Sequence, residues 1–176
     1  LALNIMENSS TRVNNRWMTG LLWRNKDVVL PGSRSQAERR LRHIEKKMDN
    51  DADFSKAYCS KIDDHIAKGY VRELTFAEAN IETNKTWYLP HFAVVNPNKP
   101  GKIRVVWDAA AKSNGVSLNS QLLTGPDLYN SLPGVIFKFR QRAVAISADI
   151  QEMFLQIKIL PEDCRAQRFL WRGEDR

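Results

Sequence analysis

Asp149 closes the run Ala143-Val-Ala-Ile-Ser-Ala-Asp, whose small and apolar residues suit a strand buried on both faces. A carboxylate at the end of such a strand is held rigidly at the rim of a sheet, a good mount for a divalent cation. Alone it says little, because an Asp after a strand more often serves a turn or a cap. Two companions add to it. Lys99, Lys102 and Arg104 cluster at the tip and along the return strand of an expected hairpin, and residues two apart on a strand share a face. Cations so placed can clamp a triphosphate or a template phosphate; the competing explanation is an edge strand defended by charge. Phe154 lies five residues after Asp149, in Asp-Ile-Gln-Glu-Met-Phe, either as plain core or as the floor of a sugar pocket beside a metal. The basic loop is not a phosphate-binding P-loop, since Gly-x-x-x-x-Gly-Lys-Ser/Thr is missing from it.

The elements that must carry these residues follow from period and turn chemistry. From Trp87 to Val95 the chain is rich in aromatic and β-branched residues, Asn96-Pro-Asn-Lys-Pro-Gly101 is a dense turn signal, and a strand resumes over 102–107. A polar loop at 112–117 leads into an apolar helical stretch over about 127–140, which Pro133-Gly134 is expected to split into two short turns. Beyond Asp149, residues 154–159 and 167–171 are expected to be strands, with Pro161-Glu-Asp between them.

Upstream, Ala37, Leu41, Ile44 and Met48 recur at helical steps and predict a helix over 35–49, begun by a Ser35/Glu38 capping box. Its opposite face bears Arg39, Arg40, Arg42, Lys46 and Lys47. A solvated charged face is favoured there over a grip on a phosphate backbone. A second helix over about 53–68 places Phe54, Tyr58, Ile62 and Ile66 on one side and stops at Gly69. Asp63-Asp64-His65 inside it cannot converge on one ion, since successive helical residues point about 100° apart; surface acids are the better reading. Residues 1–32 have no sustained period and are expected to be a lead-in with one or two strands. Helices and strands alternate irregularly, so the expected class is α+β.

Composition narrows the partners. Hydrophobic residues make up 43% of the 176 and charged residues 27%, which excludes a largely disordered chain. The 27 Lys and Arg outnumber the 20 Asp and Glu, and a net charge of +7 favours a polyanionic partner. Cys59 and Cys164 are far apart with no second Cys or His at ligand spacing, which argues against a zinc site or a disulfide framework and suits a reducing compartment. No run approaches the ~18 apolar residues of a membrane span. The start at Leu1 carries no signal-peptide pattern and suggests a piece of a longer reading frame.

Several of these segments stand in a telling order. Lys102-Ile-Arg-Val-Val-Trp-Asp108, a spacer containing Leu118-Asn119, and Ala148-Asp-Ile-Gln-Glu-Met-Phe-Leu-Gln-Ile157 together resemble the fingers-to-palm stretch of reverse transcriptases. Tyr88-Leu-Pro-His-Phe-Ala-Val-Val, Arg104-Val-Val-Trp-Asp-Ala-Ala-Ala-Lys, Ser117-Leu-Asn and Gln167-Arg-Phe-Leu-Trp171 are similar to the Pao/BEL group of long-terminal-repeat retrotransposons. Gly69-Tyr-Val-Arg-Glu73 and the two helices around it resemble the segment leading into that group's polymerase. The likeness is strong over about 85–173 and looser over 35–75.

The resemblance implies the fingers and partial palm of a right-hand polymerase over 85–176, after a lead-in over 1–32 and a helical linker over 33–84. It implies that Asp149 is the first catalytic aspartate and, with the Ile150 carbonyl, a ligand of two Mg²⁺ ions, with Mn²⁺ as a substitute. Phe154 is implied as the gate against a ribose 2′-OH. Arg104 is the implied contact to the incoming dNTP, Lys102 or Lys99 a neighbouring phosphate contact, and Phe92 a neighbour of the template. The implied partners are an RNA or DNA template–primer and the rest of the pol polyprotein, within a cytoplasmic retroelement particle or in the nucleus. The family places two further aspartates in a Tyr-x-Asp-Asp hairpin, a pattern that this sequence does not contain. The parent is therefore expected to be an enzyme and this stretch not one by itself. The alternative is a non-catalytic, nucleic-acid-binding remnant of a retroelement.

Overall fold

The described residues gather around two hydrophobic clusters, one between two amphipathic helices and a β-hairpin, the other around Trp23, Trp87 and Leu118. The computed structural model describes residues 1–95, 97–98 and 101–173. Helix α1 (Ala2–Ser9) and strands β1 (Thr11–Val13) and β2 (Arg16–Thr19) come first, followed by α2 (Arg34–Asn50), α3 (Ala52–Ala67) and the single turn α4 (Phe76–Ala79). Strands β3 (His91–Val95) and β4 (Ile103–Trp107), the turn α5 (Leu118–Gln121), α6 (Leu132–Phe139) and β5 (Lys158–Ile159) complete the α+β chain, with 3₁₀ turns at Met153–Gln156 and Cys164–Gln167. No helix among the described residues is long and apolar enough to cross a membrane.

Helix α2 forms where the period places it, with Ala37, Leu41, Ile44 and Met48 buried on one face. The expected Ser35/Glu38 capping box is absent. The N-cap is Ser33, whose hydroxyl oxygen accepts instead from the Tyr88 amide at 2.8 Å, while Glu38 pairs with Arg42 at 2.6 Å. Helix α3 is capped by Asp51, which accepts from the Phe54 amide at 2.9 Å. It ends before Gly69, whose φ of +67° is the left-handed conformation that closes a helix. Phe54, Tyr58 and Ile62 are buried as expected, but Ile66 is exposed and His65 takes its place in the interior. The surface assignment of the two acids holds, Asp63 being exposed and Asp64 paired with Lys61 and Lys68, while His65 beside them is buried.

Strands β3 and β4 pair antiparallel in the register His91↔Trp107, Ala93↔Val105 and Val95↔Ile103. The polar loop behind them closes as a tight turn in which Ser113 and Val116 exchange both backbone bonds. Asn114 (φ 48°) and Gly115 (φ 78°) supply the two positive φ angles that this turn requires. In the lead-in, β1 and β2 form the expected strands, and β2 is flanked by β5 in parallel, Met18 facing Lys158.

Three strand expectations fail. Residues 143–149 are not a strand: no neighbouring strand pairs with them, and every residue from 127 to 151 is exposed. An apolar run becomes a buried strand only if a sheet accepts its backbone, and among the described residues none does. Residues 154–159 shorten to a 3₁₀ turn and the two-residue β5. Residues 167–171 leave the second 3₁₀ turn in extended form and touch a strand-like neighbour only at the Tyr88↔Arg168 bridge. Pro133 does not split the 127–140 stretch; it sits in the first turn of α6, where its missing N–H costs nothing.

Candidate nucleotide and nucleic-acid site

The hairpin has an inner and an outer face, and the inner one is fixed by aromatic packing. His91 stands at the centre. Its Nε2 donates to the Leu170 carbonyl at 2.8 Å, so Nδ1 is left as the acceptor of the buried Tyr58 hydroxyl. Tyr58 stacks on Trp171 with ring centroids 5.5 Å apart, and Trp107 lies against both Phe169 and His65. Burial holds the His91 imidazole below its ordinary pKa, against the opposing pull of the Leu170 carbonyl and Glu45. Burial also pushes the Tyr58 phenol up. Glu45 is itself tied by a two-pronged contact to Arg172.

With that face locked, the alternation of β3 and β4 turns the other residues outward. Phe92 lies opposite Val106, and Arg104 opposite Val94. Phe92 and Arg104 are therefore diagonal cross-strand neighbours on one face, roughly 7–8 Å apart at their Cα atoms by sheet geometry. Lys102, two residues before Arg104, is exposed as well. Lys102, Arg104, Val94, Val95, Pro97 and Ile103 line a cleft of about 440 Å³ at the hairpin tip. Lys99 lies outside the described residues. The hairpin thus brings Phe92, Arg104 and Lys102 to one side of a rigid support.

Asp149, Ile150 and Phe154 occupy a different segment. Asp149 lies on the exposed run, Ile150 is 64% exposed, and Phe154 is 84% exposed in the 3₁₀ turn. Phe154 is therefore not core, which removes one of its two explanations. The turn between Asp149 and Phe154 is anchored by Glu152, held in the left-handed conformation (φ 53°). Its carboxylate accepts from Lys68 at 3.0 Å, Lys61 at 3.4 Å and the Tyr70 hydroxyl at 3.0 Å. Lys68 leads the groups that hold this carboxyl below its usual range. Gln156 adds a bond to the Tyr70 hydroxyl at 2.9 Å. No hydrogen bond or ion pair among the described residues links Asp149 to Arg104 or Lys102.

A divalent cation needs several oxygen donors converging on one point. Among the described residues no group of three or more His, Cys, Asp or Glu is placed to hold a metal. Asp149 and the adjacent Ile150 carbonyl alone do not make a site for two ions, which sit about 3.5–4 Å apart and share bridging carboxylates. The donor set present does not fit the pair of Mg²⁺ ions that the resemblance implies.

Three buried ionic side chains escaped the sequence reasoning and all are structural: Glu45, held by Arg172, and Asp163 and Arg168. Asp163 accepts from the Leu21 amide and the Trp23 indole, each at 2.7 Å. Arg168 donates to the carbonyls of Glu78, Ala79 and Ile81 and so closes the end of α4. No local pattern marks any of them, since their partners lie far away in the sequence. No protein-family model, curated protein or solved structure matches this chain.

Proposed function

We propose that this chain carries the fingers and the beginning of the palm of an RNA-directed DNA polymerase of the Pao/BEL retrotransposon type. The observation that carries the proposal is the hairpin. Phe92 and Arg104, assigned to template and incoming nucleotide from motif order alone, fall on one outward face of a sheet whose other face is locked in the core. The exposure of Phe154 adds support, since a gate must meet its substrate and a core residue cannot. Asp149 and the Ile150 carbonyl do not by themselves fit the Mg²⁺ or Mn²⁺ pair of such an enzyme and would need further carboxylates beside them, while Arg104 and Lys102 would neutralise phosphate charge. Lys99 would join them from the hairpin tip. Such an enzyme copies a template–primer within a cytoplasmic retroelement particle.

The absence among the described residues of any group of three or more His, Cys, Asp or Glu placed to hold a metal favours a second reading, a nucleic-acid-binding remnant without catalysis. Extending the reading frame downstream separates the two. An in-frame Tyr-x-Asp-Asp and primer extension abolished by Asp149→Asn are expected. In that enzyme, Phe154→Ala should raise ribonucleotide incorporation relative to deoxyribonucleotide. At 84% exposed, its loss should shift stability by no more than about 0.5 kcal/mol. Equal losses for both nucleotides would remove Phe154 from the site, and an early stop codon would leave the remnant reading.

A further inference from the structure

Residues 142–149 are backbone that the fold leaves unused. They lie between the close of α6 and the turn at Glu152, and none of them forms a hydrogen bond among the described residues. Their sequence is nonetheless that of a strand. Ala143-Val-Ala-Ile-Ser-Ala148 contains no proline, glycine or charge, and Val144 and Ile146 alternate with small residues. Both stand clear of the body, 77% and 84% exposed. Natural sheet edges are defended by charge or proline, and this run has neither.

The helix before the run is in the same condition. Leu132, Val135, Ile136 and Phe139 fall at i, i+3, i+4 and i+7 of α6, the apolar stripe of a helix that packs on something. They are nevertheless 41–68% exposed. Residues 140–142 join helix to run, a usual length for such a loop, so the stripe can lie over Val144 and Ile146. A two-stranded ribbon needs a cover of this kind, since alone it is marginal in water.

We propose that residues 143–148 pair antiparallel with the same run of a second copy of this chain, the two α6 stripes covering the apolar face of the ribbon. Charge selects the direction. Arg142 opens the run and Asp149 closes it, so antiparallel pairing brings opposite charges together at both ends, where parallel pairing brings like to like. Register follows from the pattern. Centred on Ala145, the pairing sets Val144 opposite Ile146 twice, and all four branched side chains share one face. Area agrees. At roughly 100 Å² for an aliphatic side chain and roughly 200 Å² for an aromatic one, the exposed parts of Leu132, Val135, Ile136, Phe139, Val144 and Ile146 offer about 400 Å² per copy. In an interface about 60% apolar, that corresponds to about 700 Å² per copy, near the ~800 Å² of a stable complex. A lipid surface fits less well, because it offers no partner to the unpaired N–H and C=O groups of the run. Pairing must order that run, so the dimer is a weak one, in the micromolar range. It is a property of this chain and stands whether or not the polymerase proposal does.

Sedimentation velocity of the 176-residue chain, from about 1 to about 200 µM, tests the pairing. The average mass is expected to climb from the 20.2 kDa of the single chain towards twice that value. V144D/I146D should raise the dissociation constant at least about tenfold, since like charges would then face each other across the pair. V144I/I146V should dimerise as the original chain does. Both positions are exposed, so the thermal melt of the aspartate variant should not move. Direction is read by disulfide formation in a C164S background, which removes the exposed native thiol. A143C chains mixed with S147C chains should crosslink faster than either kind alone, because only antiparallel pairing sets those positions opposite each other. A chain that stays monomeric to the highest concentration overturns the proposal, and if it then binds phosphatidylserine vesicles the apolar stretch serves a lipid surface. An aspartate variant that dimerises unchanged, crosslinking of either cysteine chain alone at the mixed rate, or growth past the dimer overturns it as well. Should the aspartate variant melt early, the cysteine pair decides.

Discussion

Acidification from pH 7.5 to 5.5 should weaken this fold through two buried histidines. His91 and His65 are each 2% exposed, and both are held below the ordinary imidazole value of 6.5 by burial. At His91 the geometry gives the reason a second proton is unwelcome. Nε2 already donates to Leu170, so the proton must go to Nδ1, where it meets the Tyr58 hydroxyl that now donates to that atom. Tyr58 is fully buried, and burial raises its own pKa, so it cannot ionise to receive the charge. Among the described residues His65 has no hydrogen-bond partner at either ring nitrogen, and it lies between Trp107 and Tyr70, with the Lys61 charge adding to the effect of burial. Asp64 and Glu152 pull its pKa the other way without offsetting that shift.

The sign follows from proton counts. A histidine with a depressed folded pKa contributes stability that is complete above the unfolded value near 6.5 and is lost as the pH falls below it, because the unfolded chain binds the proton first. A group that stays neutral in the fold while the unfolded chain titrates loses at most about 1.4 kcal/mol over this interval. The two histidines together set a ceiling of about 3 kcal/mol. The carboxyl groups of Glu38, Asp64, Glu78 and Glu152 are all shifted downward from ordinary values near 4, so they titrate below this window. Urea unfolding at pH 7.5, 6.5 and 5.5 measures the effect, and His91→Asn should remove its share of the dependence. Equal stability at 7.5 and 5.5, or greater stability at 5.5, would refute the reasoning.

Tyr58→Phe keeps the ring stacked on Trp171 but strands the His91 acceptor. It should cost about 1–3 kcal/mol in urea unfolding, and a loss under 0.5 kcal/mol would place water at that nitrogen. Arg168→Met leaves the carbonyls of Glu78, Ala79 and Ile81 without their donor and should destabilise by about 2–4 kcal/mol in the same assay. The 176-residue chain alone should show no template-directed synthesis with Mg²⁺ or Mn²⁺, because no group of three or more His, Cys, Asp or Glu placed to hold a metal occurs among the described residues; primer extension lost in Asp149→Ala would contradict this.

Much of the body was legible because its signals are local. A one-sided apolar period of four, three and four residues fixes the buried face of α2, and an aromatic and β-branched run broken by a turn signal fixes the hairpin. Two-residue alternation then places Lys102 and Arg104 together without any knowledge of register. The rest depended on contacts between distant segments. Ser33 displaced Ser35 as the cap, and its side chain serves Tyr88, which lies far along the chain. Asp163 and Arg168 are buried ions whose partners no local window contains. The run before Asp149 was misjudged for a related reason. Its composition says that it avoids water in some context, and only a neighbouring strand can say that the context is a sheet.

The wholly exposed stretch from 127 to 151 also divides the covalent chain from the folded one. It offers Lys138, Arg140 and Arg142 to a trypsin-like protease. Yet the residues beyond it are woven back into the body. β5 lies beside β2, Asp163 holds Leu21 and Trp23, Trp171 stacks on Tyr58, and Arg172 grips Glu45. A single cut in the stretch should therefore leave two polypeptides that separate on a denaturing gel but elute together under native conditions. Covalent continuity between the two parts is dispensable once they have met, and the two halves, made as separate peptides, should find each other.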